Sequence, residues 1–385
     1  LEAFVPARGP GVQGLGRTAP PRWVLDPSSG GRAVVVRGHV VWVPEGEGDP
    51  RLLTADVPGP MANLAVSEGG RWVVFTCDDD VWAVETRAGA PRRLTRGGSE
   101  RLRNGSLDWV VPEELKLDRG AWIAPTSDRV AFLQLDERGV GIYVGDDGQG
   151  RRIRYPRAGR KNPRPRLGVV GLADGQTTWL DLGQPAPEYV ARVAWEPSGE
   201  ALLVVTLDRP QRELRLLRCP VGGEAPTVVL SERDDAWVDV PPAPHFVDER
   251  RFLWRSHREG YTRWYRVTPT PPAIEPLTGV EIDVPGRPYV GASDRETVYV
   301  GTRLGAARRR AYVGRRAHPA PFGPPAGFDV DAALDPTGTW ALITYSNATT
   351  PPRRELRRVS DGEVVRTLGA TSHPRLATLA LARPE

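Results

Sequence analysis

The chain is poor in the residues that mark several common protein classes. Of its 385 residues only two are cysteine, Cys77 and Cys219, one is methionine and five are histidine. Two thiols cannot build a disulfide framework or a zinc site, and two buried free thiols are the expected state. The histidines (His39, His245, His257, His318 and His373) show no ligand spacing, and HExxH and CxxC are absent. No metal and no other cofactor is therefore expected. Lysine is nearly missing as well: Lys116 and Lys161 are the only two, and arginine supplies the rest of the 52 basic residues. These face 48 acids, leaving a net charge of +4. The basic residues are scattered without a run or stripe, so no nucleic-acid partner is expected. No apolar run reaches the ~20 residues of a membrane-spanning helix, so no membrane partner is expected either. The opening segment LEAFVPARGP lacks the pattern of a signal peptide. The compartment stays open between cytoplasm and periplasm. A nucleophile elbow, GxSxG, is also absent, which removes the usual mark of an α/β-hydrolase serine. GPGVQG (Gly9 to Gly14) matches GxGxxG formally, but no strand precedes it, so it is not read as a dinucleotide site.

What is present is a repeat. Twelve Trp, nine Tyr and seven Phe supply enough apolar area for a packed fold. A polar turn followed by a β-branched or aromatic run recurs along the chain. It reads PSSGGRAVVVRGHVVWVP from Pro27, SEGGRWVVFTCDDDVWAVE from Ser67, PTSDRVAFLQL from Pro125 and EPSGEALLVVTLDRPQRELRLLRC from Glu196. It returns at Val247, Ser293 and Asp335, so that the starts from 196 onward lie 51, 46 and 42 residues apart. That period fits four-stranded propeller blades of ~40–50 residues. The expected fold is all-β: a β-propeller of eight four-stranded blades over residues 1–385, read as one domain. Long helices are not expected, because no sustained 3.6-residue apolar period is found. Residues 104–120 interrupt the repeat with a short helix. Residues 139–166 read as a loop or extended excursion. The first 25 and last fifteen residues read as irregular, and one of them is expected to help close the ring. The acidic groups Asp78 to Asp80, Asp146 with Asp147, and Asp234 with Asp235 read as solvated turns. Asn104-Gly-Ser and Asn347-Ala-Thr read as exposed turns.

The candidate chemistry lies between Asp108 and Glu114. Pro112 followed by Glu113 and Glu114 reads as a helix start, with proline at the first helical position and acids in the first turn. The same two carboxylates could form a receptor for one compact cation. A primary ammonium has three donors, and two carboxylates can accept all of them. Adjacent helical positions point about 100° apart, so convergence needs a short or distorted turn.

LDWVVPEEL (Leu107 to Leu115) resembles the glutamate motif of dipeptidyl peptidase IV-type serine peptidases, in which Asp-Trp-Val-Tyr precedes three glutamates. Ala131 to Glu137, Arg154-Tyr-Pro-Arg-Ala-Gly159, Asn162-Pro163 and the run from Arg166 to Gly183 are similar to the family in order. So are Asp235 to Val238, Pro244-His-Phe246, Glu259-Gly-Tyr261 and Ser346 to Pro352. The resemblance implies an eight-bladed propeller preceding an α/β-hydrolase domain that carries the Ser, Asp and His. That domain is absent from this chain, which is expected to be inactive alone. It also implies that Glu113 and Glu114 bind the free α-amino group of a peptide and that cleavage releases a dipeptide with Pro or Ala at its second position. Arg32 falls, by a gapless match of Val40 to Val43, at the position of the family arginine that reaches the substrate carbonyl oxygen. Exposed blade arginine is the alternative for it. Val111 and Pro112 stand where the family has Tyr and the first Glu, and Asp239 and Val240 replace a Phe-Arg pair of some members. The expected partners are peptides with a free N-terminus and the hydrolase domain of the same polypeptide. The excursion from Val140 to Ile153 is shorter than the family's dimerisation arm, and a homodimer of the full-length protein stays open. Two alternatives stand beside this reading: the propeller of an oligopeptidase or acylaminoacyl peptidase, and a non-catalytic protein-binding propeller.

Overall fold

The computed structural model describes residues 22–26, 31–36, 39–44 and 51–370, apart from 88–89, 126–128, 145–151, 291–296, 304–305, 307, 316–317 and 336. The chain divides into two compact units, residues 1–243 and 244–385.

The first unit opens with a meander of β1 (Arg22–Asp26), β2 (Gly31–Val36), β3 (His39–Pro44) and β4 (Arg51–Leu52). A second meander follows: β5 (Met61–Val66), β6 (Trp72–Cys77), β7 (Asp80–Glu85) and β8 (Arg92–Arg93). The third sheet is broken by the insertions. It contains β9 (Leu102–Asn104), then helix α1 (Val110–Leu115), β10 (Ala121–Ile123) and β11 (Arg129–Asp136). A separate two-stranded ribbon, β12 (Ile142–Val144) with β13 (Arg152–Arg154), precedes β14 (Arg164–Gly171) and β15 (Thr177–Trp179). The fourth sheet is β16 (Tyr189–Trp195), β17 (Ala201–Leu207), β18 (Glu213–Pro220) and β19 (Thr227–Arg233).

The second unit holds three sheets. One is β20 (His245–Phe246), β21 (Phe252–Ser256), β22 (Arg263–Pro269) and β23 (Pro272–Pro276). In the next, β24 (Ile282–Asp283) and β25 (Tyr289–Val290) both pair with β26 (Thr297–Arg303), which continues to β27 (Arg310–Arg315) and β28 (His318–Phe322). The last is β29 (Asp329–Leu334), β30 (Trp340–Asn347), β31 (Thr350–Arg358) and β32 (Val364–Ala370). The described residues thus form seven sheets of four or five antiparallel strands, beside the eight blades expected.

The repeat seen in the sequence has a structural cause at both of its ends. In three copies of the polar turn, Gly70, Gly199 and Gly338 sit at φ of 65°, 71° and 70°. Each donates its N–H to the carbonyl three residues back, at 2.9, 2.9 and 3.0 Å. Glycine takes that conformation with no side-chain penalty. A second repeat escaped the sequence reading. The Leu-Thr pairs 53–54, 94–95 and 277–278 each close the outer edge of a sheet. Leu53, Leu94 and Leu277 donate to the carbonyls of Val40, Val81 and Trp264 at 3.0, 2.8 and 2.9 Å. The hydroxyls of Thr54, Thr95 and Thr278 accept from the N–H of the same three residues at 2.8, 2.9 and 3.1 Å. A threonine thus satisfies a buried donor where the outer strand stops. The spacing of 14 residues and the dipeptide LT were the signal available.

Apolar side chains between neighbouring sheets make the core. Val40, Leu53, Val73, Phe75 and Val84 pack between the first and second sheets. Trp72, Val74, Val130, Phe132 and Val170 pack between the second and third. Strand β17, ALLVVTL, is buried at every position, which explains its unbroken apolar run. Opposite Phe132 on β14 lies Gly168, and a side chain there would run into the phenyl ring. The ring instead meets Trp179 edge-on at 5.4 Å.

Several local readings are corrected. The opening segment is not irregular throughout, because β1 starts at Arg22; residues 1–21 and 371–385 lie outside the described residues. The excursion 139–166 contains a paired ribbon and the start of β14 rather than loop alone. Asp80 is no solvated turn residue. It is wholly buried on β7 and accepts from Thr95 Oγ1 (2.5 Å), Asn104 Nδ2 (2.8 Å), the Gly98 N–H (2.9 Å) and Arg93. Its two neighbours make the hairpin turn, with Asp78 and Asp79 at φ of 49° and 58°, as a type I′ turn requires. Asp146 and Asp147 lie outside the described residues, and Asp234 and Asp235 are exposed as expected. Asn104 is buried, not an exposed turn residue. Both cysteines are free and buried. Burial pushes the Cys219 thiol up to about 12.

Candidate functional site

The helix stands on an insertion with a narrow neck. Gly105 donates to the Leu133 carbonyl and Leu133 donates to the Gly120 carbonyl, both at 2.8 Å. Residues 106–119 therefore leave and rejoin the fold at the same point of β11. A side chain on Gly120 would run into the Gly105 carbonyl, so the neck closes only with glycine there. Asn63 Nδ2 donates to the Gly105 carbonyl at 3.1 Å and holds it from the second sheet.

Helix α1 has six residues and starts at Val110, two residues before the start expected at Pro112. Proline is tolerated there, because a first-turn N–H has no intrahelical partner. The orphan N–H of Val111 is taken by Asp108 Oδ1 at 2.9 Å, a side-chain cap that the sequence reading did not assign. Lys116 ends the helix in a left-handed conformation, φ 55°, with its N–H on the Val111 carbonyl. Arg192 on β16 donates to the Leu115 carbonyl at 2.6 Å. Val111, Leu115 and Leu117 are buried beneath. Glu113 and Glu114 are both exposed. As the fourth and fifth helical residues they stand further from the helix start than expected, so the pull of the N-terminal dipole on them is weaker than the sequence suggested.

Near the helix lies a partly buried charge network. Arg103 on β9 bonds Asp79 Oδ1 at 3.0 Å and Glu137 Oε2 at 3.3 Å. Burial raises the pKa of Glu137, partly offset by Arg103. Burial likewise raises that of Asp108, offset first by the Val111 N–H and then by Arg103. Asn104 joins this region to Asp80 and receives a hydrogen bond from Gln134 Nε2 at 2.8 Å. On the outer side Trp109 is 44% exposed and meets Tyr155 edge-on at 5.3 Å. Tyr143 lies beside Tyr155, with the Arg157 guanidinium over its ring at 4.6 Å.

The other candidate, Arg32, lies on β2 opposite Leu25 and Val43; its side chain is outside the described residues. Among the described residues no cluster of three or more His, Cys, Asp or Glu is arranged to hold a metal ion. No helix among them is long and apolar enough to cross a membrane.

The sheets, with one short helix inserted in the third, place the chain in the β-propeller class. The chain is similar in structure to Porphyromonas gingivalis dipeptidyl peptidase 4, with a TM-score of 0.76 over 92% of this chain and 53% of that one, at 22% identity. The family model for the N-terminal region of dipeptidyl peptidase IV matches residues 38–352. The chain belongs to that family. Among relatives, dipeptidyl aminopeptidase B of Saccharomyces cerevisiae is 31% identical over 184 residues, 44% of this chain and 22% of that protein. An Emericella nidulans protein named "Probable dipeptidyl peptidase 4" is 25% identical over 357 residues, 82% of this chain and 44% of that protein. The chain thus spans about half the length, or less, of the proteins it matches.

Proposed function

We propose that this chain is the substrate-recognition and gating propeller of a serine dipeptidyl aminopeptidase that releases N-terminal dipeptides, with Pro or Ala favoured at the second position. The observation that carries the reading is the family match across residues 38–352 together with two neighbouring exposed carboxylates on a helix anchored from below. Glu113 and Glu114 grip the α-ammonium of the peptide, and Arg32 reaches toward its carbonyl oxygen. The serine, aspartate and histidine belong to a hydrolase domain of the same polypeptide, so this chain alone does not cleave. Fixing the amino end sets which bond meets the nucleophile, as a ruler does, and binding energy at that remote end orients the bond. Asp108 and Arg192 tie the two ends of the helix that carries the carboxylates.

The test uses the full-length gene product and a Gly-Pro reporter. Glu113→Gln and Glu114→Gln each lower kcat/KM by roughly thirty- to several-thousand-fold, the cost of stranding one partner of a charge-assisted pair. An N-acetylated reporter is a poor substrate for the parent enzyme. Unchanged kcat/KM in both variants removes the clamp. Preference for the acetylated reporter points to an acylaminoacyl peptidase instead.

A further inference from the structure

The second unit contains a cavity of about 520 Å³ where the first strands of its three sheets approach one another. That volume lies within the ~300–1,000 Å³ typical of small-molecule sites. His245 and Phe246 on β20, Tyr289 on β25 and Asp331 with Leu334 on β29 line it, and Arg287 reaches in from the turn before β25. The two charged groups are exposed and unspent. Arg287 makes no hydrogen bond or ion pair with a described residue. Among the described residues Asp331 accepts only from the adjacent Ala332 N–H at 3.0 Å, while Arg309 is taken by Asp329 at 2.7 Å. On one side of the cavity Tyr289 lies against Gly338, whose φ of 70° and contact with that ring leave no room for a side chain. Burial and the Arg287 charge lower the pKa of His245. The imidazole is therefore neutral near pH 7 and offers one donor and one acceptor.

We propose that this cavity binds a short peptide with both ends free, its carboxylate on Arg287, its ammonium on Asp331 and its side chains against Phe246, Tyr289 and Leu334. A cation and an anion on the lining of one cavity, with no ion pair between them among the described residues and with apolar and aromatic side chains on the same lining, match a small zwitterion with an apolar body. A guanidinium suits a carboxylate because its fork of donors can take both oxygens. The site's own chemistry asks only for a short peptide. That the occupant is the released dipeptide rests on the function proposed above.

The experiment is calorimetric or NMR titration of this chain with Gly-Pro, N-acetyl-Gly-Pro and Gly-Pro amide. Arg287→Gln weakens Gly-Pro and N-acetyl-Gly-Pro about tenfold or more and leaves the amide nearly unchanged, the scale of one charge-assisted contact. Asp331→Asn weakens Gly-Pro and the amide but spares the acetylated form. Both residues are exposed, and unchanged thermal unfolding checks that the variants fold. Equal affinity of Arg287→Gln for all three ligands overturns the site, as does the absence of Gly-Pro binding at tens of millimolar. Loss of binding in Glu113→Gln with none in Arg287→Gln also overturns it, while leaving the ammonium clamp intact. A failed clamp with the Arg287 pattern preserved leaves a peptide site without that function.

Discussion

On β11, Val130, Phe132 and Leu133 have essentially no exposed surface. On the insertion tied to the same strand, Glu113 and Glu114 are exposed, and the helix beneath them is positioned by Asp108, Arg192 and a two-glycine neck. The strand is fixed by apolar area, which is non-directional and tolerant of exchange. The helix is fixed by a few directed contacts to a short backbone segment, each of which sets an orientation. The lesson is that a site can borrow rigidity from a sheet through very few bonds, provided the attachment is narrow.

Four substitutions probe that difference. Phe132→Ala should cost about 3–5 kcal/mol of stability, as expected for emptying a core aromatic site, measured by denaturant unfolding. A loss below 1 kcal/mol would mean that the interface between the second and third sheets is not the framework described. Gly120→Ala should cost about 1–3 kcal/mol by overpacking at the neck. On the proposed function, and unlike the core variant, it should lower the peptidase activity of the full-length gene product more than its stability loss explains. Asp108→Ala removes the acceptor for the Val111 N–H and should cost about 1 kcal/mol, with little change in unfolding cooperativity and, on the proposed function, a rise in KM for free-amine substrates of the full-length gene product.

The smallest effect is a slope with pH. Glu137 has a folded pKa raised by burial above its ordinary 4.5, so between those values the folded state binds more protons than the unfolded chain. Stability contributed by this group is therefore greatest in acid and falls as pH rises through that window. Glu137→Gln lacks the titration. The stability of the parent relative to Glu137→Gln should decline from pH 4 upward and level off once the carboxyl is ionised. A flat difference over that range would show that Arg103 balances burial, and a rising one that it outweighs burial.

Much of the fold was legible because it is periodic. The glycine turns at Gly70, Gly199 and Gly338 and the short β-branched runs announce sheets, since positive φ and alternating burial restrict residue choice locally. The paired glutamates were legible as a helix position, and the chain's membership in the peptidase family as a set of short motifs. What the sequence could not give was context. Asp78, Asp79 and Asp80 are chemically identical, yet two turn a hairpin and the third is buried against Asn104, Thr95 and Arg93. The helix began two residues earlier than its proline suggested because Asp108 supplied the cap. The charges Arg287 and Asp331 lie 44 residues apart and meet only around one cavity. Composition and local pattern determine which backbone shapes each segment can adopt; which polar groups lose water, and beside whom, is set by packing between segments remote in sequence, and only the tertiary structure decides it.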